Sequence, residues 1–138
     1  MIAYLDSSVI LRVILGQANA LREWSTIDGG VVSALAEVEC LRTLDRLRLL
    51  ESLSDEAITV RREAVYRLLD AVEMIEPTRL VLSRAAQPLP TALGTLDAIH
   101  LATALLWRER GRADLVMATH DEALAIAAKA SGLRVIGM

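Results

Sequence analysis

The chain has 138 residues, enough for one domain with a sizeable core. Apolar residues make up 54% and charged residues 24%, which excludes a disordered chain. A single cysteine, Cys40, excludes an internal disulfide and a multi-cysteine zinc site. Fifteen Lys and Arg against 18 Asp and Glu leave a net charge of −3, with two Trp, two Tyr and no Phe. That balance speaks against a basic nucleic-acid coat and against an aromatic base-stacking platform. No basic stretch precedes an apolar one at the start, so no secretory leader is expected. The longest charge-free apolar stretch, residues 98–107, is too short to span a bilayer, and a reducing cytoplasm suits the lone thiol.

Taken in chain order, residues 2–5 read as a buried strand ending at Asp6. Ser7 or Ser8 can then cap a helix that Gly16 stops, and a second short helix is predicted over residues 18–26. Asp28-Gly29-Gly30 is a turn before a strand at Val31-Val32, and Ser33 starts a long helix to about Leu50. Ser54-Asp55-Glu56 caps a helix through Val72, Met74-Ile75 is a short strand, and Pro77-Thr78 opens a brief helix to Ala86. Gln87-Pro88-Leu89-Pro90 breaks the chain. Residues 95–110 form a helix apolar on every side, hence buried. Residues 115–118 make a strand, Thr119-x-x-Glu122 reads as a capping box for a helix ending at Gly132, and Val135-Ile136 is the last strand. Strands alternating with helices imply a single α/β domain over residues 1–138, with a parallel sheet covered on both faces.

Sites in such sheets lie beyond the carboxyl ends of the strands. Asp6 follows the first strand, Asp121 follows the strand at 115–118, and Glu37 and Glu39 fall in the first turns of the helix after Val31-Val32. Asp97 lies in the first turn of the most apolar helix, where burial of a charge needs a partner or a metal. Clustered carboxylates repel unless a divalent cation sits among them, and hard oxygen ligands suit Mg²⁺ or Mn²⁺. Such a site performs metal-assisted phosphoryl displacement. Each acid alone is equally well read structurally, as a helix cap, a first-turn acid or a solvated side chain. Glu37 and Glu39 point to different sides of their helix, and periodicity does not choose between them. His100, three residues after Asp97, reads as a packed core residue, with ligand or base as the other reading. His120 reads as a turn residue, Cys40 as core, Ser7 and Ser8 as caps, and the arginines of 42–48 and 61–62 as a solvated face.

These residues resemble the PIN-domain ribonucleases, and among them the VapC-like toxins of type II toxin–antitoxin pairs. The resemblance rests on Tyr4-Leu5-Asp6-Ser7-Ser8, on Ser33-Ala34-Leu35-Ala36-Glu37-Val38-Glu39-x-x-Arg42, on Leu96-Asp97-Ala98-Ile99-His100, and on Thr119-His120-Asp121-Glu122. The four pieces occur in order across essentially the whole chain, whereas residues 51–94 carry no distinctive match. The resemblance implies a five-stranded parallel sheet in an α/β/α sandwich and Mg²⁺- or Mn²⁺-dependent cleavage of RNA. It implies Asp6 and Asp97 as the main metal ligands, Glu39 (rather than Glu37) and Asp121 completing the catalytic pocket, and Ser8 and Thr119 in support. A homodimer and a cognate antitoxin are implied as well. The alternative is a non-catalytic RNA- or protein-binding module on the same scaffold. A phosphoacceptor receiver fits poorly, because Asp6 lacks an acidic neighbour and Lys129 falls in mid-helix. Without the four site acids, 14 acids face 15 bases, a balance of +1, so the negative charge is partly local to the site.

Overall fold

A computed structural model describes residues 1–50, 52–111 and 114–138. Five strands form one all-parallel sheet: β1 (Ile2–Leu5), β2 (Gly29–Ser33), β3 (Glu73–Ile75), β4 (Leu115–Ala118) and β5 (Arg134–Ile136), in the order β3-β2-β1-β4-β5. Six α-helices flank it among the described residues: α1 (Ser7–Ile14), α2 (Leu35–Leu49), α3 (Asp55–Asp70), α4 (Arg79–Ala85), α5 (Thr95–Glu109) and α6 (Glu122–Ala130). The expected five-stranded α/β/α sandwich is the observed fold.

Side-chain alternation along each strand builds two cores. Ala3, Leu5, Val32 and Ala118 face α1, α2 and α3, where Val9, Ile10, Cys40, Leu44 and Val65 are buried. Tyr4, Val31, Leu115 and Met117 face α5 and α6, against Leu101, Leu105, Leu124 and Ala128. The register sets Tyr4 between Val31 and Met117, so the central strand is covered on both faces. Helix α5 buries residues on nearly every side, as its composition predicts.

Close packing fixes Gly30 at the start of β2. A Cβ there would stand 2.6 Å from Val72 Cγ1 and 3.0 Å from Leu5 Cδ1. Val72 is β-branched and cannot swing aside freely. Gly30→Ala is therefore expected to cost about 1–3 kcal/mol, read as a lower urea midpoint with an unchanged slope. An unchanged midpoint would show that the two elements separate without cost.

Several local expectations need correction. The segment predicted as a helix over 18–26 forms only a short 3-10 helix, Arg22–Thr26, after a turn at Gln17–Ala20. So short a segment is marginal as an α-helix, and only Leu21 of it is fully buried. The cap of α1 is Asp6, in line with its reading as a helix cap, and not Ser7 or Ser8. The cap of α6 is Asp121, not Thr119, so the Thr-x-x-Glu pattern is not a capping box. Ser33 ends β2 rather than opening the helix, and its Oγ accepts the Leu35 N–H at 3.2 Å. Arg61 is not simply solvated, since its guanidinium donates to the Ile14 carbonyl at 2.7 Å and closes the end of α1.

Candidate active site

Asp6 leaves the end of β1 and is buried, 4% exposed. Its backbone N–H continues the ladder to the Ala118 carbonyl at 3.1 Å, which brings the ends of β1 and β4 together. One carboxylate oxygen, Oδ1, accepts the Ser7 N–H at 2.9 Å. The other, Oδ2, accepts from Ser8 Oγ at 2.7 Å and from Thr119 Oγ1 at 2.8 Å. Both hydroxyls accept in turn: Ser8 Oγ from the His120 N–H at 3.0 Å, and Thr119 Oγ1 from the Asp121 N–H at 3.0 Å. Two hydroxyls thus tie the loop after β4 to the Asp6 carboxylate, and three donors supply the polar contacts that a buried charge requires.

Asp121 caps α6 by accepting the Leu124 N–H on Oδ1 at 2.9 Å. Asp97 is half-buried in the first turn of α5. Its carboxyl is raised above the ordinary aspartate range, first by burial and then by the charges of Asp121, Asp6 and Glu39, against an opposing pull from His100. The four acids therefore share one electrostatic environment at the carboxyl edge of the sheet, although they come from four separate segments.

Glu39 and His100 meet across the edge. His100 Nε2 lies 2.5 Å from Glu39 Oε1 and 4.0 Å from Asp6 Oδ1, while its Nδ1 lies 2.7 Å from the Tyr4 hydroxyl. The ring is fully buried, as expected of a core residue, yet it also contacts a site acid. Burial alone would lower the imidazole pKa. The Glu39 hydrogen bond and the charges of Glu39, Asp6 and Asp97 outweigh it and raise the value. Tyr4 was missed by reading motifs alone. Its signal is a hydroxyl-bearing aromatic in a buried strand, which needs a polar partner. Glu37 is half-buried and makes none of these contacts. Cys40 is buried, and its thiol is pushed up to about 12 by burial and then by Glu39 and Asp6, so it is no nucleophile.

The donor set is all carboxylate oxygen, which fits a hard divalent cation, and Asp97 carries the repulsion that such a cation relieves. Among the described residues, no three His, Cys, Asp or Glu side chains converge closely enough to ligate one ion as placed. Asp121 is turned to its helix cap and Glu39 to His100.

A five-stranded parallel sheet with acids gathered at its carboxyl edge defines the class: the chain belongs to the PIN-domain family, and within it to the VapC ribonucleases. The PIN-domain model matches residues 3–130. The chain is 36% identical over 137 residues to Ribonuclease VapC46 of Mycobacterium tuberculosis, covering 96% of this chain and 95% of that protein. It is 29% identical over 103 residues to Ribonuclease VapC47 of the same species, covering 73% of each. Two solved structures share the fold. One is a chain of a toxin–antitoxin complex from Klebsiella pneumoniae (TM-score 0.65, 17% identity, 91% of each chain). The other is a chain of VapBC2 from Rickettsia felis bound to a DNA fragment from their promoter (TM-score 0.67, 12% identity, 98% of this chain and 97% of that one).

Proposed function

We propose that this chain is a Mg²⁺-dependent endoribonuclease, with Mn²⁺ as an alternative ion, and the toxin of a toxin–antitoxin pair. The observation that carries the reading is Asp97, whose carboxyl is raised by burial and by Asp121, Asp6 and Glu39, in a chain 36% identical to a ribonuclease. Asp6, Asp97, Glu39 and Asp121 would hold the ion, which supplies an activated water and neutralises charge on the phosphoryl oxygens. Ser8 and Thr119 orient Asp6 through their hydroxyls, and the Thr119 hydroxyl also holds the backbone of Asp121. His100 orients Glu39. The whole chain acts as one nuclease domain on RNA in the cytoplasm, pairs with a second copy, and is silenced by a cognate antitoxin. No helix among the described residues is long and apolar enough to cross a membrane.

The test is cleavage of labelled single-stranded RNA by the purified protein. Excess EDTA is expected to reduce cleavage to background, and excess Mg²⁺ to restore it. Undiminished cleavage in EDTA would overturn metal dependence. RNA binding without cleavage under any divalent ion would favour the non-catalytic module.

A further inference from the structure

Tyr4 lies in the central strand β1 and is fully buried, paired in register with Val31 on one side and Met117 on the other. A phenylalanine would fill that space equally well, so packing does not account for the hydroxyl. A buried hydroxyl costs stability unless it is bonded. This one lies 2.7 Å from His100 Nδ1, and the two rings meet edge to face, at 70° with centroids 5.9 Å apart. Burial first, and then the charges of Asp6 and Glu39, hold the phenol well above its usual range, so it keeps its hydrogen. Its other polar neighbours are Thr103 and the Ser33 backbone.

The far side of the imidazole meets the acids. Nε2 lies 2.5 Å from Glu39 Oε1 and 4.0 Å from Asp6 Oδ1. A carboxylate can only accept, so Nε2 carries a hydrogen. In the neutral ring Nδ1 is then a bare acceptor, and the phenol is its donor. A continuous relay, Tyr4 to His100 to Glu39, thus runs from the middle of the sheet to the site. Glu39 needs such an anchor, because a long flexible side chain loses rotamer entropy when it is held in one place. The relay takes Oε1, and Oε2 has no hydrogen bond among the described residues. Tyr4 and His100 are both fully buried, so they act on the site by position and not by touching substrate.

We propose that Tyr4 is a positioning residue of this nuclease: its hydroxyl anchors His100 with Nε2–H aimed at Glu39, which ties Oε1 and leaves Oε2 for the divalent cation. The proposal rests on the metal-dependent nuclease reading. It accounts for a hydroxyl in a strand whose other residues are aliphatic.

Tyr4→Phe keeps the ring and deletes the hydroxyl. Calorimetric titration of the protein with Mg²⁺, without RNA, is expected to show affinity about tenfold weaker than that of the wild type. At subsaturating Mg²⁺, kcat for RNA cleavage is expected to fall by about the same factor, with KM for RNA unchanged. Tyr66→Phe alters the exposed tyrosine of α3; it is the control and leaves both measurements unchanged. His100→Gln keeps a donor for Glu39 but deletes Nδ1. It is expected to weaken Mg²⁺ binding about as Tyr4→Phe does, with no further loss when the two are combined. A second measurement needs no variant. The chain has two histidines, and ¹⁵N spectra of their imidazoles in alkaline solution read the tautomers. His120 is expected to carry its hydrogen on Nδ1, which lies 2.6 Å from the Gly137 carbonyl, and His100 to carry its own on Nε2. A His100 ring protonated on Nδ1 would make the phenol an acceptor and overturn the relay. Unchanged Mg²⁺ affinity and cleavage in Tyr4→Phe, or a lowered melting temperature alone, would overturn the proposal and leave the nuclease reading standing. Effects that multiply in the double variant would show that Tyr4 does not act through the ring, and also overturn it. A wild-type protein that neither binds Mg²⁺ nor cleaves RNA would remove both.

Discussion

Asp97→Asn is expected to abolish RNA cleavage while leaving the metal-free protein at least as stable as the wild type. With Asp97 in the proposed role of metal ligand, its loss would remove several kcal/mol of transition-state stabilisation, so cleavage is expected to fall by about 10³-fold or more. The stability effect has the opposite sign. Burial and the charges of Asp121, Asp6 and Glu39 raise the Asp97 carboxyl in the folded protein. The native state therefore holds this proton to higher pH than the unfolded chain does. Ionisation costs stability, a cost absent well below the unfolded value of about 3.9 and growing as pH rises through the folded value. Asparagine has no charge to pay it. Thermal melts in EDTA from about pH 4 to 7 check this, with the advantage of Asp97→Asn increasing with pH. Full cleavage by the variant would remove Asp97 from the metal site. A pH-independent melting difference would remove the repulsion.

His100→Ala is expected to cost about 3 kcal/mol, a large share of the stability of a small domain. The fully buried ring fills space against the sheet and also links Tyr4 to Glu39. The Tyr4 phenol is held well above its usual range by burial and by Asp6 and Glu39, so it keeps its hydrogen and can donate to Nδ1. Nε2 then donates to Glu39. Alanine leaves a cavity, a buried hydroxyl without its partner and a Glu39 carboxylate without its anchor. The raised imidazole pKa adds a pH signature. Its stabilisation is fully present below the unfolded value of about 6.5 and is lost as pH rises through the folded value. Urea titrations across that window check both parts. A loss under about 1 kcal/mol would show that the ring supports neither neighbour, and an undiminished pH dependence in His100→Ala would assign the titration to another group.

Much of this arrangement was legible from local pattern. Short apolar runs ending at Asp6 and before Thr119 mark strands, and the uninterrupted apolar surface of residues 95–110 marks a buried helix. Parallel strands have their carboxyl ends at one edge, so Asp6, Asp121 and the acids following Val31-Val32 were bound to open on the same side. Those inferences need only periodicity and chain direction, which neighbouring residues set.

Competition between adjacent polar groups was not legible in this way. Ser7, Ser8 and Thr119 are all competent caps, but Asp6 and Asp121 cap the helices. Ser8 and Thr119 instead give their hydroxyl hydrogens to the buried Asp6 carboxylate, since a charge removed from water gains more from a donor than an exposed helix end does. The helical wheel could not separate Glu37 from Glu39. A histidine 61 residues further along the chain does so, by bonding Glu39 alone. The composition and order of the residues decided the elements, the sheet and the edge at which the acids meet. Only the packed structure decided which oxygen meets which donor, because those bonds join residues as far apart as 113 positions in the chain, and their geometry exists only once the sheet has assembled.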